Sequence, residues 1–160
     1  MRQRADIHAD FVKRFAVPST SKPERNRPPS DAELAAVETT LNARFPRSYR
    51  EFVKRYGCVW TPKLDDHLEA TGRTVPRPIE EFTPVESMVA YDQWNASIPQ
   101  PLLLFAGDSL GDMIGFPKQD AEADDLPVFL FDHEFNEVIR LADTFDGLLF
   151  AYVHGGPAGR

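Results

Sequence analysis

Cysteine is nearly missing from these 160 residues: Cys58 stands alone. A single thiol excludes an intramolecular disulfide, and a reducing cytoplasm is the expected compartment. No apolar run approaches the roughly 20 residues needed to span a bilayer, so no membrane role is expected. The opening stretch from Met1 to Phe15 lacks the apolar middle of a secretory leader. Its Asp6 and Asp10 are out of place in an organelle transit peptide. No glycine-rich run ends in Gly-Lys-Ser/Thr, and no serine, Ser109 included, sits in a Gly-x-Ser-x-Gly elbow. Cys58 lies among apolar residues, the setting of a structural thiol rather than a nucleophile. No nucleophile, base and orienting group can be drawn together, which argues against catalysis at the acidic residues of the sheet.

Basic residues are scarce over most of the length. From Met1 to Trp60 there are 12 Lys+Arg against 7 Asp+Glu, but from Thr61 to Arg160 only 6 against 18. The net charge of −7 therefore hides a basic start and a strongly acidic remainder. A field of that sign repels nucleic acid and favours a basic partner or a cation.

What is present reads as one α+β domain with an appendage. Ile7, Phe11 and Phe15 fall at helical spacing and predict an amphipathic helix. Pro18 to Pro29 is rich in proline, serine and charge, the composition of a linker. Residues 1–29 are thus expected to form a helix plus a Pro-rich linker, 30–154 a single domain, and 155–160 a flexible, glycine-rich tail. Ser30-Asp31-Ala32-Glu33 is a capping box opening a helix with Leu34, Val37 and Leu41 on one face. Pro46 opens another, with Tyr49, Phe52, Val53 and Tyr56 at i, i+3, i+4 and i+7. Its other face carries Arg47, Arg50, Lys54 and Arg55, expected to be a solvated surface.

Cys58 to Trp60 is expected to begin a strand, and Thr61 to Pro78 to be a long surface loop. A short strand between Pro78 and Pro84 then leads to a helix with Val85, Met88 and Val89 in register. Leu102–Phe105 and the apolar segment after Gly111 read as two strands joined by a Gly/Asp turn. Pro127 to Asp132 has the continuous apolar pattern of a central strand, and Val138 to Ala142 follows as another. Asp143 or Thr144 caps a closing helix of Phe145, Leu148, Leu149 and Tyr152. The fold class is α+β: a mostly antiparallel sheet flanked by N-terminal helices and a C-terminal helix.

Carboxylates dominate the candidate site residues. Asp108, Asp112, Asp132 and Glu134 meet near one end of the sheet if the strands pair sequentially, where oxygen ligands could hold a cation. Asp65-Asp66-His67 also has ligand chemistry, but three groups in one loop leave the coordination shell unfilled. The competing reading is turn geometry, with Asp108 and Ser109 bonding turn backbone, Gly111 supplying a permissive angle and Asp132 ending a strand. No cofactor and no metal is expected.

Three stretches carry a family resemblance. They are the helix containing Glu38 followed by Phe45-Pro46-Arg47-Ser48-Tyr49-Arg50-Glu51-Phe52, then Phe105-Ala106-Gly107-Asp108-Ser109-Leu110-Gly111-Asp112, and finally Pro127-Val128-Phe129 through Asp132-His133-Glu134 to Thr144-Phe145. In order and spacing, across Ser30 to Val153, the chain resembles the SUKH superfamily of fungal Smi/Knr-type cell-wall assembly regulators and bacterial immunity proteins. Phe45 replaces the usual leucine, and Tyr56-Gly57-Cys58 stands where the family often has Asn-Gly-Gly.

The resemblance implies a non-enzymatic binding module, typically one that neutralises a cognate toxin, often a nuclease, by occluding its active site with an acidic surface. The implied partner is a basic toxin domain. The residues expected to meet it are Asp65, Asp66, Asp108, Asp112, Asp124, Asp125, Asp132 and Glu134. The alternatives are a regulatory or scaffolding module with a cellular partner, and a metal-dependent hydrolase built on Asp108, Asp112, Asp132 and Glu134.

Overall fold

A computed structural model describes residues 3–20, 23–71 and 77–155. The expected tail lies almost wholly outside the described residues. The helices are α1 (Arg4–Phe15), α2 (Asp31–Leu41), α3 (Arg47–Tyr56), α4 (Lys63–Thr71), α5 (Val85–Tyr91) and α6 (Phe145–His154). The strands are β1 (Glu81–Phe82), β2 (Leu102–Gly107), β3 (Met113–Pro117), β4 (Val128–Asp132) and β5 (Glu137–Ala142). They form one sheet in the order β1-β2-β3-β4-β5, every neighbour antiparallel. The expected α+β class and the sequential strand pairing are both observed.

Local chemistry explains the helices. Ser30 Oγ accepts from the Glu33 amide at 3.1 Å while the Glu33 carboxylate accepts from the Ser30 amide at 3.1 Å, so the capping box closes. Arg27 adds two 3.0 Å bonds to the same carboxylate. Hydrogen bonds from Arg27 and the Ser30 amide together hold the Glu33 pKa down to about 2. Glu38, 8% exposed, accepts from the Phe45 amide at 2.9 Å and from Arg50 at 2.7 Å, which fixes the corner between α2 and α3. A buried carboxylate is tolerable there because it is both paired and hydrogen-bonded.

One face of the sheet and the helices share the main core, which includes Leu103, Phe105, Ile114, Phe116, Val128 and Leu130. Phe145 of α6 stands at its centre, edge-on to Phe105 at 5.8 Å and to Phe52 at 5.7 Å. Such T-shaped pairs add to the burial energy of the rings. A bulge between Leu104 and Ala106 interrupts the β2–β3 register. Opposite it, a Cβ on Gly115 would lie 2.8 Å from the Leu103 carbonyl oxygen, so the close strand approach requires glycine.

Three features depart from the sequence expectations. Thr61 to Pro78 is not a continuous surface loop: its described part contains α4, in which Leu64 and Leu68 are buried on one face. The leucines sit four residues apart, and Asp65 and Asp66 occupy the first turn, where carboxylates favour the helix dipole. A polar average concealed a short amphipathic helix. Cys58 to Trp60 forms no strand, and Trp60 makes isolated bridges to Val17 and Glu81. Within Pro18 to Pro29, the described residues include a 3-10 turn at Pro23–Asn26, with Asn26 bonded to both the amide and the carbonyl of the buried Ser19.

The docking of α1 is decided by tertiary contacts. Phe11 and Phe15 are buried in the main core, and His8 is 3% exposed. Asp146, in the first turn of α6, accepts from Arg4 Nε at 2.7 Å and meets His8 Nε2 at 2.7 Å.

Candidate protein-binding site

Two turns meet at one end of the sheet. The β2–β3 turn spans residues 108–112 and the β4–β5 turn spans 133–136. Asp108 Oδ1 accepts from the Leu110 and Asp112 amides, each at 3.0 Å. Asp132 Oδ1 accepts from Glu134 at 3.0 Å and Phe135 at 3.3 Å. These are turn-closing bonds that short carboxylates make with following backbone. Gly111 adopts φ 90, and a Cβ there would crowd the His133 ring at 3.3 Å. Asp112 joins the turns by accepting from the His133 amide at 3.1 Å and meeting His133 Nδ1 at 2.7 Å.

Arg77 holds the carboxylates from behind. Its guanidinium donates to Asp112, to Asp108 at 3.2 Å and to Asp132 at 3.4 Å. The Arg77 carbonyl in turn accepts from the Tyr152 hydroxyl, tying this end of the sheet to α6. The Asp108 and Asp112 side chains are each 4% exposed and that of Asp132 14%. Burial alone would raise the Asp112 pKa, but bonds from His133 and Arg77 outweigh it and hold the carboxyl below its ordinary value.

The structure thus brings three of the four sheet-end acids together, facing Arg77 rather than solvent. Glu134 lies beside them and is exposed. Ser109, expected to bond turn backbone, donates instead to Glu80 at 3.0 Å. Asp65 and Asp66 are exposed on α4. Asp124 is exposed and pairs with Arg4 at 2.6 Å. Asp125 accepts from the Phe145 and Asp146 amides at 2.8 and 3.2 Å, adding a carboxylate cap to α6 beside the Thr144 hydroxyl, which accepts from the Gly147 amide at 2.9 Å. Burial raises its pKa, although bonds from the Phe145 and Leu126 amides pull the other way.

Beside the turns, a groove of about 390 Å³ runs over the outer sheet face, with Leu104, Ala106 and Met113 among its lining residues and Trp60 and Tyr91 beside them. A larger groove of about 630 Å³ lies on the helical side, lined by Ala5, His8, Arg47, Arg50, Glu51, Lys54 and Arg55. Three of its cations serve internal pairs: Arg47 with Glu122 at 3.0 Å, Arg50 with Glu38 at 2.7 Å and Lys54 with Asp31 at 2.8 Å. That engagement leaves little of a phosphate-binding stripe. Among the described residues, no group of three or more His, Cys, Asp and Glu side chains is arranged to hold a metal ion. Nor is any helix among them long and apolar enough to cross a membrane.

Several residues of this region escape a reading by sequence. Arg77 lies beyond a polar stretch with no periodicity, and its three partners are 31, 35 and 55 residues away. Leu110 and Phe135 are each 70% exposed, although apolar residues in turns gave no sign of it. Their one available signal was position, between turn-forming acids and glycine.

The geometry defines an α+β module with an antiparallel meander packed on its helices by one face, whose sheet end is an acid-braced pair of turns. The chain belongs to the SMI1/KNR4 family (SUKH-1), whose family model matches residues 28–150. The match runs from just before α2 into α6 and leaves α1 outside it. None of the curated proteins matches the chain.

Proposed function

We propose that this SMI1/KNR4-family chain is a non-enzymatic, cytoplasmic protein-binding module, an immunity protein that neutralises a cognate toxin. The observation carrying the reading is the charge of the sheet-bearing part, 6 Lys+Arg against 18 Asp+Glu from Thr61 onward, in a member of this family. An enzyme acting on a polyanion needs a basic cleft, so a nuclease is the toxin class whose active site an acidic surface complements. Opposite potentials steer the encounter, and the bound module excludes substrate. Glu134 and Glu137 are exposed at the sheet end and free to contribute to that field.

Co-expression with the product of the neighbouring gene is the test. A stable complex and relief of toxicity are expected, while neither complex nor protection overturns the reading. Recovery of a housekeeping assembly, with no toxin gene nearby, would instead identify a regulatory or scaffolding module of the same family.

A further inference from the structure

We propose that the contact surface of this module is the paired turns at the end of the sheet, with Leu110 and Phe135 as apolar anchors. The fitting occupant is a protein surface whose apolar cleft is bordered by Lys and Arg. The proposal rests on the protein-binding reading above and deepens it.

The first reason is that both side chains are exposed by construction. Leu110 and Phe135 are 70% exposed, yet the amide of each is bonded to an aspartate at the start of its turn, Asp108 or Asp132. Flexible loop tips carry small polar residues, whereas these tips carry large apolar ones on braced backbone. Asp112 and His133 lock the turns to each other, so the two anchors are presented as one unit. A contact group already held in place loses little freedom on binding, which favours affinity.

The second reason is continuity with a groove. Asp108, Ser109, Gly111 and Asp112 line both the β2–β3 turn and the groove of about 390 Å³ on the outer sheet face. Trp60 and Tyr91 flank that groove at 38% and 42% exposure. Aromatic side chains at such positions are the groups that interface centres favour.

Charge selects the occupant. Three carboxylates, Asp108, Asp112 and Asp132, share one arginine beneath the tips, and exposed Glu134 and Glu137 flank Phe135 along the chain. The apolar anchors therefore stand in an acidic field. A second copy docked through the same tips would set acid against acid, and nucleic acid would be repelled.

Two probes test the surface independently of the immunity reading. A displayed library of random peptides is panned on the full chain, and the binders are measured against Leu110→Ser/Phe135→Ser and a control, Val89→Ser. Binders rich in Lys and Arg around an apolar centre are expected, weakened at least about tenfold by the tip variant and unchanged by the control. Equal binding to the tip variant, or no tip-dependent binder, overturns the proposal. The purified product of the neighbouring gene is the second probe. If it binds wild type and tip variant equally, the tip proposal fails while the immunity reading stands. If it binds neither while library binders still require the tip, the immunity reading fails and the surface stands. Sedimentation of the chain by itself gives the remaining outcome. A dimer abolished by the tip variant would make the occupant a second copy and overturn the basic-partner assignment.

Discussion

The two ends of β4 use the same ingredients for different purposes. At one end, Asp146 holds Arg4 and His8, and Asp125 caps α6 through backbone amides. At the other, Asp112 meets Arg77 and His133, while Asp108 and Asp132 accept turn amides. Each end centres on an aspartate facing an arginine and a histidine, its side chain 18% exposed at Asp146 and 4% at Asp112. In the first, the cluster ties a distant helix to the domain, and Phe11 and Phe15 are buried beside it. In the second, it stiffens two turns, and the apolar residues beside it, Leu110 and Phe135, remain in solvent. The same chemistry therefore serves cohesion where the neighbouring apolar groups are covered and presentation where they are not.

Substitutions can break that comparison, and the largest effect is expected at the covered end. Asp146→Ala leaves the His8 side chain, 4% exposed, and Arg4 without their shared partner. A loss of about 2–4 kcal/mol in urea unfolding is expected for a buried polar group stranded this way. Faster amide exchange confined first to α1 should accompany it. An unchanged midpoint would show that the apolar contacts alone dock that helix.

Asp112→Asn comes next, at about 1–3 kcal/mol near neutral pH, since one carboxylate oxygen, Oδ1 facing His133 or Oδ2 facing Arg77, becomes an amide donor and the charge pair is lost. Its pH dependence has a definite sign. The folded state holds the Asp112 carboxyl below the ordinary 3.8, so its contribution is complete above about 3.8 and is lost as pH falls through the lower folded value. The gap between variant and wild type should therefore narrow in acid. Asp146 is also held low, its bonds from His8 and Arg4 outweighing burial, and Asp146→Asn should narrow in the same direction. A gap that stays constant with pH would mean that these groups act through shape rather than charge.

Asp108→Ala should cost less, about 0.5–1.5 kcal/mol, and should speed exchange at the Leu110 and Asp112 amides while α1 stays protected. Exchange that rises equally at both ends of β4 would dissolve the distinction between them. The smallest effect is expected at the anchors themselves. Leu110→Ser and Phe135→Ser should change stability by no more than about 0.5 kcal/mol, because exposed side chains give up little on truncation. A larger loss would place these residues in the fold rather than on the contact surface.

Much of the architecture was legible in the chain because it is written at short range. The capping box at Ser30, the i, i+3, i+4 spacing from Tyr49 and the Thr144 cap each act within a few residues, and all appear as helices. The alternation of apolar runs with Gly/Asp turns likewise specified a sequential antiparallel sheet. Among the site residues, the meeting of Asp108, Asp112 and Asp132 followed from that order of pairing. The α4 helix was missed because Leu64 and Leu68 form a single-turn signal within polar surroundings.

Sequence by itself thus determined the five sheet strands, every helix but α4, their order and the family, since these depend on local propensity and on the spacing of apolar residues. It did not determine which way a carboxylate would face. Arg77 meets its three acids only after the chain has folded across 31 to 55 residues, and Arg4 meets Asp146 across 142. A charge count weighs an aspartate buried against arginine the same as one in solvent. Only the tertiary structure turned Asp108, Asp112 and Asp132 inward and left Leu110 and Phe135 outside, because burial is settled by what packs nearby rather than by residue type.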